Sequence, residues 1–238
     1  MTRSHLGKVG QEQPASLPLL LLLLTVTTGL IDAVSVLGLG RVFTANMTGN
    51  VVFLGFALAR VPGFSLVRSL AALAAFLAGA VIGGRLAIRL EGSRGRWLAT
   101  VAAVESSLLF AAALTAIGYD GEHLAPVARL YSLIGLTAVA MGLRNATVRR
   151  LAVPDLTTTV LTLTLAGLGA DSSLAGGANP RFARRVGSVA AMLAGAVAGG
   201  LLVLSVGVAW PLALSGAITL LATLIYVARA APPSTLSW

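Results

Sequence analysis

Two carboxyls stand inside the long apolar runs of this 238-residue chain, which has only eight acidic residues in all. Asp32 lies well along the first run, and Glu105 lies too deep in the third for easy snorkelling and is followed by Ser106 and Ser107. A carboxyl at membrane depth is costly and usually faces the interior of a helix bundle, where it marks an ion or proton path or a paired structural site. Both are therefore candidates for proton coupling. For Asp32 the competing reading is a carboxyl satisfied by backbone donors of its own hairpin.

Polar segments interrupt the apolar pattern twice. GLGRVFTANMTGN precedes a short apolar stretch at 46–60, and RRLAVPDLTTT precedes another at 157–170. Five extended residues from Arg41 to Asn46 reach roughly 17 Å, about half the hydrocarbon thickness, so Thr48, Gly49 and Asn50 are expected near the midplane. Asn46 or Thr48 would cap a short helix whose amino-terminal N–H groups face a cavity. Thr157, Thr158, Thr159, Thr162 and Thr164 offer the equivalent hydroxyl-rich site from the other side. Opposed half-helix ends suit a carboxylate or another polar acceptor. With Asp32 and Asn145 these residues form the expected substrate site, Asp32, Asn46, Thr48, Gly49, Asn50, Asn145, Thr162 and Thr164. The alternative is a pair of interfacial turns with no ligand. Arg144, near the inner end of its run, is expected to snorkel to the interface rather than to serve as counter-ion to Asp32 or Glu105.

The elements that must position these groups follow from composition. With 57% hydrophobic and 11% charged residues there is too little polar surface for a water-soluble globule, and lipid must be the main solvent and partner. No cysteine and two histidines, His5 and His123, leave no thiolate or zinc site and no serine triad, so no enzyme, no metal and no cofactor are expected. The net charge of +9 accompanies sparse charge and continuous apolar runs, which argues against nucleic acid and for basic cytoplasmic loops.

Six runs are long enough to cross a bilayer, at about 17–38, 68–90, 97–118, 124–149, 184–208 and 211–229. The stretches at 46–60 and 157–170 either cross as well, giving eight spans, or return to the side they came from. The cluster Arg85, Arg89, Arg94 and Arg96 fixes the loop at 91–96 as cytoplasmic. Six spans then place 13 of the 17 basic residues inside, leaving Arg41, Arg60, Arg68 and Arg129 outside. Eight spans would reverse the bias to eight inside and nine outside of those 17. The expected fold is all-α, six transmembrane helices plus two re-entrant half-helix hairpins. Residues 1–16 and 231–238 are expected as cytoplasmic tails, with a single membrane domain at 17–230.

The halves are similar to one another at an offset of 113 to 116 residues. Gly29-Leu30-Ile31-Asp32-Ala33 faces Gly142-Leu143-Arg144-Asn145-Ala146; Met47 to Gly55 faces Leu161 to Gly169; Leu77 to Gly84 faces Leu193 to Gly200. Each half, about 17–118 and 124–229, would cross three times, so the second would be inverted relative to the first, as in many transporters. Gly79-x-x-x-Gly83 and Gly195-x-x-x-Gly199 each place two small residues on one helix face and are expected to pack helices closely, either across the two-fold axis or elsewhere in the bundle.

The run GLIDAVSVLGLGRVFTANMTGNVVFLGFAL, with its Asn46-Met47-Thr48-Gly49-Asn50 core, resembles the YoaK-type family of small bacterial multi-pass membrane proteins, a domain of unknown function. The resemblance covers about 17–230 and implies some six helices in the bacterial inner membrane, with no assigned substrate. The family's second copy usually reads Thr-Gly-Thr, where this chain has Thr162-Leu163-Thr164. The sequence thus points to a small-solute transporter or permease for an unknown polar or anionic solute, with two three-helix units rocking about a midplane site. A non-transporting scaffold or regulatory subunit is the other reading. A homo-oligomer is compatible with either.

Overall fold

The structure, a computed structural model, describes residues 16–156, 158 and 161–230. The expected tails, Ser16 apart, lie outside these residues, as do Thr157 and Thr159. Among the described residues the chain is helical, with no named strand. Six helices have the length and apolar composition to cross a membrane: α1 (Ser16–Gly38), α3 (Leu66–Arg89), α4 (Arg94–Thr115), α5 (Val127–Leu151), α7 (Phe182–Val206) and α8 (Ala209–Ala230). Two shorter helices, α2 (Met47–Leu58) and α6 (Thr162–Ala170), fall on the two short apolar stretches. At 1.5 Å per residue their 12 and 9 residues cannot span about 30 Å of hydrocarbon.

The helix starts follow ordinary capping chemistry where polar residues are present. Ser65 and Ser93 accept the N–H groups of Arg68 and Arg96, capping α3 and α4. Elsewhere the apolar sequence itself drives helix formation, because lipid leaves unpaired backbone groups no other partner.

The packing does not follow the halves of the sequence. Helix α1 packs against α7 and α8, both from the second half, and α5 packs against α3 and α4, both from the first. Helices α4 and α8 pack on each other, with the Ser106 hydroxyl donating to the Gly216 carbonyl over 2.9 Å. Helix α2 lies on α3, and α6 on α7. The bodies in contact are thus one bundle of α1, α7 and α8 and another of α3, α4 and α5. This differs from the expected pair of sequence-contiguous three-helix units: the long helix that opens each half is held by the other half.

Glycine makes these exchanges close. A Cβ on Gly142 would collide with the Phe76 carbonyl oxygen, and one on Gly79 with that of Val139, so α5 and α3 touch backbone to backbone. A Cβ on Gly29 would meet the Met192 carbonyl oxygen, and one on Gly195 that of Val26, between α1 and α7. One turn further along, Gly83 faces Ala146 and Gly199 faces Ala33, each ideal Cβ position lying within 2.9 Å of the alanine Cβ. The two Gly-x-x-x-Gly faces therefore join the first half of the chain to the second.

For reference, the bundle has a Gly38 end, where α1 stops, and a Ser16 end, where it starts. The loop at 116–126 closes the Gly38 end. There the Asp120 carboxylate accepts the backbone N–H groups of Glu122 and His123 and pairs with the His123 ring at 2.7 Å. That hydrogen bond raises the His123 imidazole above its ordinary value, and the same contacts hold the Asp120 carboxyl below its own. The charged pair is present below the usual histidine range as long as Asp120 is ionised, and it is lost as pH rises through the raised His123 value or falls through the lowered Asp120 value. In an NMR titration His123 should titrate above 6.5, and Asp120→Asn should return it toward that value.

The glycine contacts predict a graded response in thermal unfolding of the detergent-solubilised protein. Gly142→Leu and Gly195→Leu should each lower the midpoint sharply, at an overpacking cost of at least about 1–3 kcal/mol. Gly55→Ala, where an added methyl meets open space, should leave it unchanged or raise it. Equal midpoints for all three would contradict the close crossings.

Candidate functional site

Arg144 sets the centre of the bundle. It is 18 residues into α5 by its numbering within Val127–Leu151, and its side chain is 1% exposed. Side chains on a helix lean toward its amino terminus, so this one points back into the bundle and away from the carboxy-terminal end of α5. The expected snorkelling at the interface is thereby corrected: the interface lies in the direction the side chain cannot easily take. Arg144 instead forms an ion pair with Glu105 of α4, both Nε and Nη2 donating to Oε1.

The other guanidinium donors cross to the second bundle. Nη1 donates to the Leu24 carbonyl at 2.9 Å and to the hydroxyls of Thr27 and Thr28 at 2.7 and 3.1 Å, and Nη2 donates to the Thr219 hydroxyl at 2.8 Å. Thr27, Glu105 and Thr219 sit at the middle of α1, α4 and α8 respectively. One charge pair at mid-depth thus belongs to the α3, α4, α5 bundle and grips hydroxyls of the α1, α7, α8 bundle. A cavity of about 20 Å³ adjoins it, lined by Leu20, Leu98, Glu105, Arg144 and Thr147 among others. It has room for about one water molecule.

Asp32 lies one helical turn beyond Thr28 on the same face of α1. It is buried, the Ala45 N–H lies near its carboxyl, and Oδ1 has no hydrogen-bond partner. Ala45 belongs to the non-helical segment between α1 and α2, in which Leu39, Val42, Thr44 and Ala45 are all buried. Irregular backbone at depth is enclosed by protein here, as lipid requires. Asn50 holds the segment in place: its Oδ1 accepts the Phe43 N–H at 2.9 Å and its Nδ2 donates to the Phe43 carbonyl.

The other expected residues are spread around this break and its counterpart. Asn46 occupies the N-cap position of α2, but no side-chain cap bond forms, and Thr48 is exposed. The space over Gly49 is filled by the Phe43 ring. Asn145 donates to the Met141 carbonyl of its own helix at 2.8 Å. Thr164 is buried on α6 and Thr162 is exposed. The α6 arm is held by Arg185, which pairs with Asp155 at 3.2 Å and Asp171 at 2.8 Å and donates to the Gly167 carbonyl at 2.6 Å.

The structure adds residues absent from the expected set: Arg144, Thr27, Thr28 and Thr219 at the centre, and Thr44, whose buried hydroxyl has no partner. Thr158 of the second break shares that property and stands 114 positions after Thr44. No group of three or more His, Cys, Asp or Glu side chains able to hold a metal occurs among the described residues.

Six long apolar helices around a buried ionic centre define an integral, polytopic membrane protein. The chain belongs to the family described as protein of unknown function DUF1275, whose model matches residues 20–225. It is 36% identical over 155 residues to the UPF0700 transmembrane protein YoaK of Bacillus subtilis (strain 168), covering 65% of this chain and 66% of that relative. No solved structure matches.

The ion pair yields a stability prediction. Arg144→Met leaves Glu105 buried without its partner and should cost about 3–5 kcal/mol, while Arg144→Met combined with Glu105→Leu should recover most of that loss. Unfolding in detergent by heat or by increasing sodium dodecyl sulfate fraction measures both. A single Arg144→Met variant as stable as the parent would contradict the pairing.

Proposed function

We propose that this protein is a small-solute transporter or permease of the bacterial inner membrane, with both termini cytoplasmic and no enzymatic activity. The observation that carries the reading is Arg144, paired with Glu105 inside one bundle and hydrogen-bonded at mid-depth to Leu24, Thr27, Thr28 and Thr219 of the other, where the two bundles are otherwise joined mainly by α4 against α8. Hydrogen bonds from one guanidinium to three hydroxyls and a carbonyl of the opposing bundle can be exchanged for water or solute when the bundles shift. The moving bodies in this reading are the two bundles that exchange helices between the halves.

Several contacts support an inverted repeat. Val26, Gly29, Leu30 and Ala33 of α1 correspond to Val139, Gly142, Leu143 and Ala146 of α5 at a shift of 113, and Gly195 and Gly199 of α7 correspond to Gly79 and Gly83 of α3 at a shift of 116. Each contact across one crossing has its counterpart across the other. In this reading α2 and α6 are the returning arms of two re-entrant hairpins. Asp32 is the favoured proton-coupling group, because its Oδ1 is free of partners while Glu105 is engaged by Arg144. Asn50 and Thr44 shape the site around it, and Thr164 and Thr158 its counterpart.

The non-transporting scaffold remains the second reading, and the small size of the cavity beside the ion pair favours it. Thr44→Cys, close to isosteric and at a buried hydroxyl without a partner, distinguishes the two in this naturally cysteine-free chain. Labelling by a membrane-impermeant thiol reagent added from outside is expected for the transporter, and protection under every condition for the scaffold. Uptake into proteoliposomes under an imposed proton gradient tests coupling. Asp32→Asn should abolish gradient-driven uptake, and full coupled uptake by both Asp32→Asn and Glu105→Gln would remove the proton role.

A further inference from the structure

At the Gly38 end an open basin of about 620 Å³ is lined by Arg41, Gly63, Arg68, Glu122 and neighbouring residues of α1 and the 116–126 loop. Two guanidinium groups converge on Gly63 there. Arg68 Nη2 donates to the Gly63 carbonyl at 3.2 Å, and Arg41 Nη1 lies 2.9 Å from where a Gly63 Cβ would stand. Gly40 makes the matching space on the other side, its ideal Cβ position lying 2.9 Å from Arg68 Nε. Gly40 and Gly63 both have left-handed backbone, with φ of 77° and 89°, and Arg41 itself is held at φ 58°. A side chain at either glycine would be strained and would displace a guanidinium.

Neither arginine has an acidic partner among the described residues, and Arg68 Nε is buried with no hydrogen-bond acceptor. Glu122 lines the same basin but pairs with neither arginine, so the two like charges repel without a bonded counter-ion, and an unpaired buried donor adds a desolvation cost. Planar guanidinium donors facing one open space match the paired oxygens of a carboxylate or phosphate. The amino-terminal end of α3, capped by Ser65, lies beside them and contributes partial positive charge.

We infer that Arg41 and Arg68 form an oxyanion-binding site at the Gly38 end, the outward end in the orientation proposed above. Its ligand class is a carboxylate or phosphate group, carried by a free solute or by a lipid headgroup. Val36, which lines the basin, is one turn from Asp32, and Asp32 is one turn from Thr28, so α1 presents a continuous face from the basin to the Arg144 centre. The role as a loading site for an anionic solute rests on the transport reading; the binding itself does not.

The test uses the full chain in nanodiscs of zwitterionic lipid, titrated calorimetrically with succinate and with inorganic phosphate, and in parallel the fraction of phosphatidylglycerol retained from mixed nanodiscs. The parent should bind one of these probes saturably, more weakly at higher ionic strength. Arg41→Gln and Arg68→Gln should each weaken binding about tenfold or more. Arg96→Gln, at an exposed position on the opposite end, should leave it unchanged. Binding of succinate or phosphate assigns a free solute, and an Arg41- and Arg68-dependent preference for phosphatidylglycerol alone assigns a headgroup. Absence of both, or equal loss in all three variants, overturns the site. Lost binding with intact uptake would leave the transport reading standing, and intact binding without uptake the reverse.

Discussion

A guanidinium held at mid-depth governs how this bundle can be assembled. Placing an arginine at the centre of a membrane helix costs about 2.5–3.5 kcal/mol even on the mildest insertion scale, and an unpaired N–H adds to that. Arg144 meets the demand with the carboxylate of Glu105, the Leu24 carbonyl and the hydroxyls of Thr27, Thr28 and Thr219. Those acceptors come from α4, α1 and α8, so three helices must sit at one depth and one rotation about α5. The register of the four central helices is thus set by directional bonds, which lipid-facing leucines could not provide.

The outer helices are positioned by a different force. Lipid tails are as apolar as leucine, so α3 and α7 gain little from hiding apolar surface, and close van der Waals contact must hold them. Gly79 and Gly83 against α5, and Gly195 and Gly199 against α1, let backbones approach to where no Cβ would fit. Because each crossing joins one half of the chain to the other, neither half is a packed unit before the other is present. Shape fixes the periphery and charge fixes the centre.

These two forces also explain what the sequence discloses. All six spans are legible, to within about three residues at each end, because continuous apolar runs have no other stable fate in a chain this poor in charge. Asp32 is legible for the same reason, as a group lipid should exclude. Arg144 is misread when its place near a helix end is weighed without the direction of its Cα–Cβ bond. The threonines are silent because threonine fits an apolar run by bonding back to its own helix, as Thr25 does to Leu21 and Thr137 to Leu133. Nothing local separates those from Thr28, which bonds Leu24 and also receives Arg144. Asn46 at the start of α2 has the residue type of a cap without its hydrogen bond, and Asn50 fastens the break through Phe43 instead. The convergence of Arg41 and Arg68 is tertiary, since it depends on left-handed turns that bring two distant loops to Gly63.

The near-symmetry of the halves makes their differences informative. At the shift of 113, Arg144 corresponds to Ile31 and Asp32 to Asn145, and at 114 Glu105 corresponds to Thr219. The first half therefore brings two carboxyls to the interior and the second brings one guanidinium. One carboxyl is consumed by the pair; the other, Asp32, has one buried oxygen without a hydrogen-bond partner. A fully symmetric chain would repeat each of these charges at the corresponding position of the other half. The imbalance leaves the Asp32 carboxyl without an ion-pair partner among the described residues, on the helix face that joins the charged centre to the arginine-lined basin. Burying that carboxyl without a cation beside it costs stability that a fully paired core would keep.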